Sequence, residues 1–129
     1  MFNNLLGMLP PKTPEEQLYN YTLIGNHEKM EELITQGADV NFVGNKGNTL
    51  LHIAVIKCDL DATRILLKNN AKPDVKNKTG KTPLLIAVEN GEKNIARTLV
   101  DHGANYHYLL LVTTIEALAD IEALAEDED

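Results

Sequence analysis

Apolar positions recur in short bursts at helical spacing, each closed by a residue that tolerates a turn. Met30, Leu33 and Ile34 share one stripe of a helix, as do Ile65 and Leu66, and further on Ile95, Leu99 and Val100. The punctuation between stripes is regular. Thr13-Pro14-Glu15-Glu16 offers a Thr cap, Pro in the first turn and Glu at the capping-box position. A helix is therefore predicted from there to about Ile24. Gly25 supplies a left-handed residue to end it, Asn26 can cap the next helix, and Gly37 ends that one. Further helices are predicted over about 49–57, 60–69 (capped by Asp59), 82–90 and 93–102.

The bursts are copies of one another. Sliding the chain by 33 residues lays GNTLLHIAV (47–55) on GKTPLLIAV (80–88). Over 45–77 against 78–110, nine positions are identical, among them Gly47/Gly80, Thr49/Thr82, Leu51/Leu84, Ala54/Ala87, Leu66/Leu99 and Ala71/Ala104. Unrelated segments of ordinary composition would share roughly two. The same step towards the N-terminus puts Leu18 on Leu51, Leu33 on Leu66 and Ala38 on Ala71.

G-K-T-P-L-L-I-A-V-E-N-G at 80–91, T-L-L-H at 49–52 and G-A-D-V-N at 37–41 resemble the ankyrin repeat, and the period of 33 agrees. The resemblance covers about 15–110. It implies an all-α fold: an ankyrin-repeat solenoid of stacked helix-turn-helix units joined by β-hairpin-like fingers. The expected organisation is an N-terminal segment or cap at 1–14 and one repeat domain at 15–129. Repeats fall at about 12–44, 45–77 and 78–110, with a capping helix at about 113–126. Two short helices cannot bury an apolar face alone, so stacking must supply the core. Some positions depart from the pattern. Cys58 and Asn70 stand where a helix-ending Gly is usual, Leu50 replaces the Pro, and Tyr21 replaces a packed Ala. Asn accepts the left-handed conformation, whereas Cys58 should leave its turn strained.

Composition narrows the function. The chain has 129 residues, 12 basic and 19 acidic side chains and a net charge of −7, which disfavours nucleic acid as partner. Charge is segregated: net −4 over 1–44, +5 over 45–97 and −8 over 98–129. One cysteine allows no internal disulfide, no apolar run reaches bilayer length, and the opening MFNNLLGMLPPK has no basic n-region. A cytoplasmic monomer is expected.

Catalytic signatures are missing. Gly80-Lys81-Thr82 mimics part of a phosphate loop, but Val75 stands where that loop needs Gly. No zinc spacing joins His27, His52, His102 and His107, so neither metal nor cofactor is expected. The resemblance implies a structural hydrogen-bonding role for His52 near Thr49. Asn41 lies where ankyrin repeats can be hydroxylated, and is read as an unmodified turn residue.

What remains is binding. The resemblance implies a concave strip made of fingertips and the exposed side of each unit's first helix. Matching positions are Asn45, Lys46 and Asn48 on one finger, and Lys78, Thr79 and Lys81 on the next. Leu23 and Ile24, Ile56 and Lys57, and Glu89 and Asn90 end the first helices. Lys46, Lys57, Lys78 and Lys81 predict a basic strip. Tyr106, Tyr108, Leu109, Leu110, Leu111 and Val112 are mostly apolar where a third fingertip should be polar, an interaction patch if exposed, and the last helix is expected to fold back and bury part of it. The expected function is a non-catalytic adaptor or inhibitor that binds another protein. The alternatives are an immunity protein or secreted effector acting on one protein, or a self-associating structural repeat.

Overall fold

The computed structural model describes residues 12–107. Six helices follow in order: α1 Pro14–Ile24, α2 His27–Thr35, α3 Leu50–Ile56, α4 Leu60–Lys68, α5 Pro83–Glu89 and α6 Lys93–Asp101. A 3-10 turn, Asn45–Gly47, lies before α3. The helices pack as pairs, α1 on α2, α3 on α4 and α5 on α6. The pairs then stack, first helix on first helix and second on second: α1, α3 and α5 form one row, α2, α4 and α6 the other. This is the all-α repeat solenoid that the resemblance implies.

Local chemistry sets each boundary. Thr13 and Glu16 form the predicted capping box, with Thr13 N–H donating to Glu16 Oε1 at 2.9 Å and Glu16 N–H to Thr13 Oγ1 at 3.1 Å. Its counterpart in the second unit is Thr49, 36 residues on rather than 33, so α1 carries almost one extra turn at its start. Asn26 and Asp59 accept from the N–H of Lys29 and Ala62, at 3.2 and 3.0 Å. Glu92, the third residue of that series, makes no such bond, because its longer side chain does not fold back onto its own helix. The turns inside the three pairs have φ of 75° at Gly25, 57° at Cys58 and 71° at Gly91. Cys58 therefore holds a left-handed conformation in which its Cβ crowds the backbone, and Asn70 does the same at 69°.

The core is built of columns that run through the stack. Leu18, Leu51 and Leu84 form one, and Leu33, Leu66 and Leu99 another, all buried. Ala38, Ala71 and Ala104 are buried at a third repeated position. Each of those leucines contributes roughly 2 kcal/mol by leaving water. No single pair could bury them, since each column is shared between neighbours. Among the described residues the buried polar ones are Thr22, Thr49, His52, Thr63 and Thr82; Thr22 Oγ1, for instance, donates to the Leu18 carbonyl at 2.7 Å.

Each connection between pairs is a hairpin-like finger. Gly44 N–H donates to the Asn48 carbonyl at 2.8 Å and Asn77 N–H to that of Lys81 at 2.9 Å, and Val43 bridges Thr49 across the first finger. Neighbouring fingers are bonded to each other, with Lys78 N–H donating to the Lys46 carbonyl at 3.0 Å and Asn77 Nδ2 to Asn48 Oδ1 at 2.9 Å. At the base of the stack a second set repeats with the period. Asn41 Oδ1 accepts from Lys72 N–H at 2.8 Å and Asp74 Oδ1 from Asn105 N–H at 2.9 Å. Asn41 is thus a tie between units. The expected N-terminal cap at 1–14 falls mostly, and the capping helix at 113–126 wholly, outside the described residues.

Candidate protein-binding face

The first helices and the fingers together form one surface. Leu23, Ile24 and Ile56 end α1 and α3 and stay exposed, at 36%, 71% and 45%. Lys57, Glu89 and Asn90 beside them are exposed too. Asn45, Lys46, Lys78 and Thr79 are exposed on the fingertips, whereas Asn48 and Lys81 are half-buried. Asn48 is held by Asn77, as above. Lys81 Nζ lies 2.8 Å from Glu89 Oε1. The lysine strip is therefore smaller than the sequence implies, because Lys81 and Glu89 meet across eight residues and neutralise each other. Lys46, Lys57 and Lys78 have no carboxylate within ion-pair distance among the described residues. Leu111 and Val112 lie outside the described residues. Tyr106, just before them, is half-buried against the core and stacks on His107 with ring centroids 4.7 Å apart.

Two open hollows flank Leu23. One, of about 390 Å³, lies between α1 and the first finger and is lined by Lys12, Glu16, Tyr19, Asn20, Leu23, Phe42, Gly44 and Asn45. Tyr19 meets Phe42 edge-on, with centroids 6.3 Å apart and planes at 69°. Gly44 makes this possible, since a Cβ there would lie 3.0 Å from the Tyr19 ring. Sequence reasoning passed over Tyr19, Asn20 and Phe42. A signal was present: Tyr19 occupies the repeat position of buried His52 and Leu85, and it is too large to be enclosed there. The other hollow, about 550 Å³, runs from Leu23 and Ile24 to Lys57, Cys58, Asp59 and Asp61.

The titratable groups nearby serve structure. His52 is buried within α3. Thr49 N–H donates to its Nδ1 at 3.1 Å, and its Nε2 lies 2.8 Å from the Lys81 carbonyl. An amide N–H only donates and a carbonyl only accepts, so the ring is neutral with its proton on Nε2. Burial pushes its pKa below the ordinary 6.5, against the opposing effect of the carbonyls of Lys81 and Val75. The Cys58 thiol is pushed up by desolvation and then by the Glu92 carboxylate. His27 Nε2 donates to Asp59, at 2.8 Å from Oδ2, tying the first pair to the second. Among the described residues, no three His, Cys, Asp or Glu side chains gather as a metal site would need, and no helix is long and apolar enough to cross a membrane.

Stacked helix pairs, ladders between fingers and an open strip of solvent-facing side chains define a helical repeat protein of the interaction class. Residues 18–108 match the family model for ankyrin repeats in three copies. The chain belongs to the ankyrin-repeat family, whose repeats mediate protein–protein interaction. It is 35% identical over 85 residues to a poly [ADP-ribose] polymerase tankyrase of Caenorhabditis elegans, covering 66% of this chain and 4% of that protein. It is 43% identical over 58 residues to neurogenic locus notch homolog protein 1 of Homo sapiens, covering 45% of this chain and 2% of that one. An alpha-latroinsectotoxin of Latrodectus tredecimguttatus is 37% identical over 68 residues, 53% of this chain and 5% of the toxin. The chain thus spans a few per cent of the length of these relatives.

Proposed function

We propose that the chain is a non-catalytic adaptor or inhibitor that docks one partner protein on the strip from Leu23, Ile24 and Ile56 to Lys46, Lys57 and Lys78. The observation that carries this reading is the coexistence, on one face of the stack, of exposed apolar side chains and lysines that meet no carboxylate among the described residues. Repeat packing places these side chains in solvent and does not dictate what they are. The strip is pre-formed by ladders of hydrogen bonds, so binding need not order it, which lowers the entropic cost of association. His52, the one buried imidazole, is fully occupied by Thr49 and Lys81 and has no role left in chemistry. A single unpaired thiol fits a reducing compartment, so we place the protein in the cytoplasm, as a monomer.

The test is an affinity pull-down that compares the wild type with a Lys46→Glu, Lys57→Glu, Lys78→Glu variant, each checked for a native melting curve. Loss of a specific partner is the expected result. Capture that is unchanged in amount and identity overturns the assignment of this face.

A further inference from the structure

We propose that the hollow between α1 and the first finger takes one bulky apolar side chain of the partner protein, and that acidic residues adjoining that side chain lie along Lys46 and Lys78. This rests on the docking face argued above and adds the chemistry of what docks there.

The hollow has the character of an anchor site. Its lining includes the edge-on pair Tyr19 and Phe42, both half-buried, and the exposed Leu23. Its volume is within the range of small-ligand sites, about 300–1000 Å³, but it is open on one side. It therefore suits one side chain of a larger molecule rather than an enclosed ligand. Asn20 and Asn45 line it, and their carboxamides make no hydrogen bond among the described residues. They are available to the main chain that carries the anchor.

The charge beside the hollow decides the flanking residues. Asn45 belongs to the hollow and Lys46 follows it directly. Lys46 and Lys78 are held side by side, because their backbones share the 3.0 Å hydrogen bond between fingertips. Both are exposed. Lys29, Lys68 and Lys81, by contrast, sit within 4 Å of Glu32, Glu31 and Glu89. Two ammonium groups with no carboxylate partner among the described residues, next to an aromatic-lined hollow, match carboxylates a few residues from an apolar anchor. Phosphates would also satisfy the lysines, but a nucleic acid would meet a chain of net charge −7.

The experiment uses the isotopically labelled full chain and a synthetic peptide with one tryptophan two residues before four glutamates. Two controls replace the tryptophan by alanine or the glutamates by lysines, and a third probe is oligothymidylate of equal length. Amide shifts at Tyr19, Asn20, Phe42 and Asn45 are expected with the tryptophan–glutamate peptide and not with its alanine control. Shifts at Lys46 and Lys78 are expected with both acidic peptides. Affinity should fall at least tenfold with the alanine control, and at least tenfold in a Lys46→Glu, Lys78→Glu protein that melts as the wild type does. Equal affinity for the alanine control, insensitivity to the two reversals, tighter binding of the oligonucleotide, or no shift with the parent peptide at millimolar concentration each overturns the proposal. A captured partner that is lost with Lys57→Glu or Ile56→Asp but kept by the Lys46, Lys78 variant overturns this chemistry while leaving the docking face in place.

Discussion

The Nε2–H of His52 donates to the Lys81 carbonyl across 2.8 Å, so a side chain of the second helix pair closes the base of the next finger. The same ring accepts from Thr49 at the start of its own helix. One imidazole thereby satisfies groups on both sides of the boundary between the second and third units. Neither neighbouring unit has an equivalent, since Tyr19 and Leu85 occupy its repeat positions.

Replacing His52 by Leu keeps the position apolar, as Leu85 does in the next unit, but leaves the Lys81 carbonyl and the Thr49 amide without this partner. The expected loss is about 2 kcal/mol, the cost of stranding buried polar groups. Urea denaturation checks it. A loss below a few tenths of a kcal/mol would show that water or the backbone replaces the ring at no cost.

The same ring makes stability depend on pH. Its pKa in the folded chain lies below the 6.5 of an exposed imidazole. Between those two values the unfolded chain binds more protons than the folded one, so stability falls as pH is lowered. Above about pH 6.5 the contribution is complete. It declines below that until the folded pKa is reached, and then levels off. Melting temperatures across pH 5 to 8 should show this decline in the wild type and a smaller one in His52→Leu.

Cys58 holds a left-handed turn that Gly25 and Gly91 hold without strain. Relief of the Cβ clash, about 1–2 kcal/mol, outweighs the backbone entropy that glycine adds to the unfolded chain, about 0.5–1 kcal/mol. Cys58→Gly should therefore stabilise by about 0.5 kcal/mol, within the range of those two effects. Cys58→Val, with a branched Cβ, should destabilise. Asn70→Gly should change little, because Asn tolerates this conformation. Chemical denaturation of the three variants gives the order directly, and a Cys58→Gly variant less stable than wild type would refute the account.

Asp59 caps α4 through Ala62 and receives the His27 ring from the first pair. Asp59→Ala removes both and should cost about 1–2 kcal/mol, most of it the cap. Asp59→Asn keeps a capping oxygen and should lose less than half as much, because a partly exposed contact such as that with His27 is worth about 1 kcal/mol or less. Hydrogen exchange in α2 should speed up in the Ala variant if the His27 contact transmits the loss to the first pair. Exchange confined to α4 would show that it does not.

The period of 33 residues, the helix starts at Thr13, Asn26, Thr49, Asp59 and Thr82, and the leucine columns were all determined by sequence. Capping, turn preference and helical spacing act between residues a few positions apart, and identical bursts must pack alike. The role of His52 was legible in part: the motif placed it near Thr49, but its bond to Lys81 spans 29 residues and needed the stack. The same holds for the binding face. Sequence spacing could put Lys46, Lys57, Lys78 and Lys81 on one strip, yet only tertiary structure decided that Lys81 is neutralised by Glu89 while the others meet no carboxylate among the described residues. The aromatic hollow likewise arises where Tyr19, Phe42 and Gly44 converge from a helix and a finger. Local rules fix which residues turn and which face inward; which exposed groups find a partner is settled only when distant segments meet.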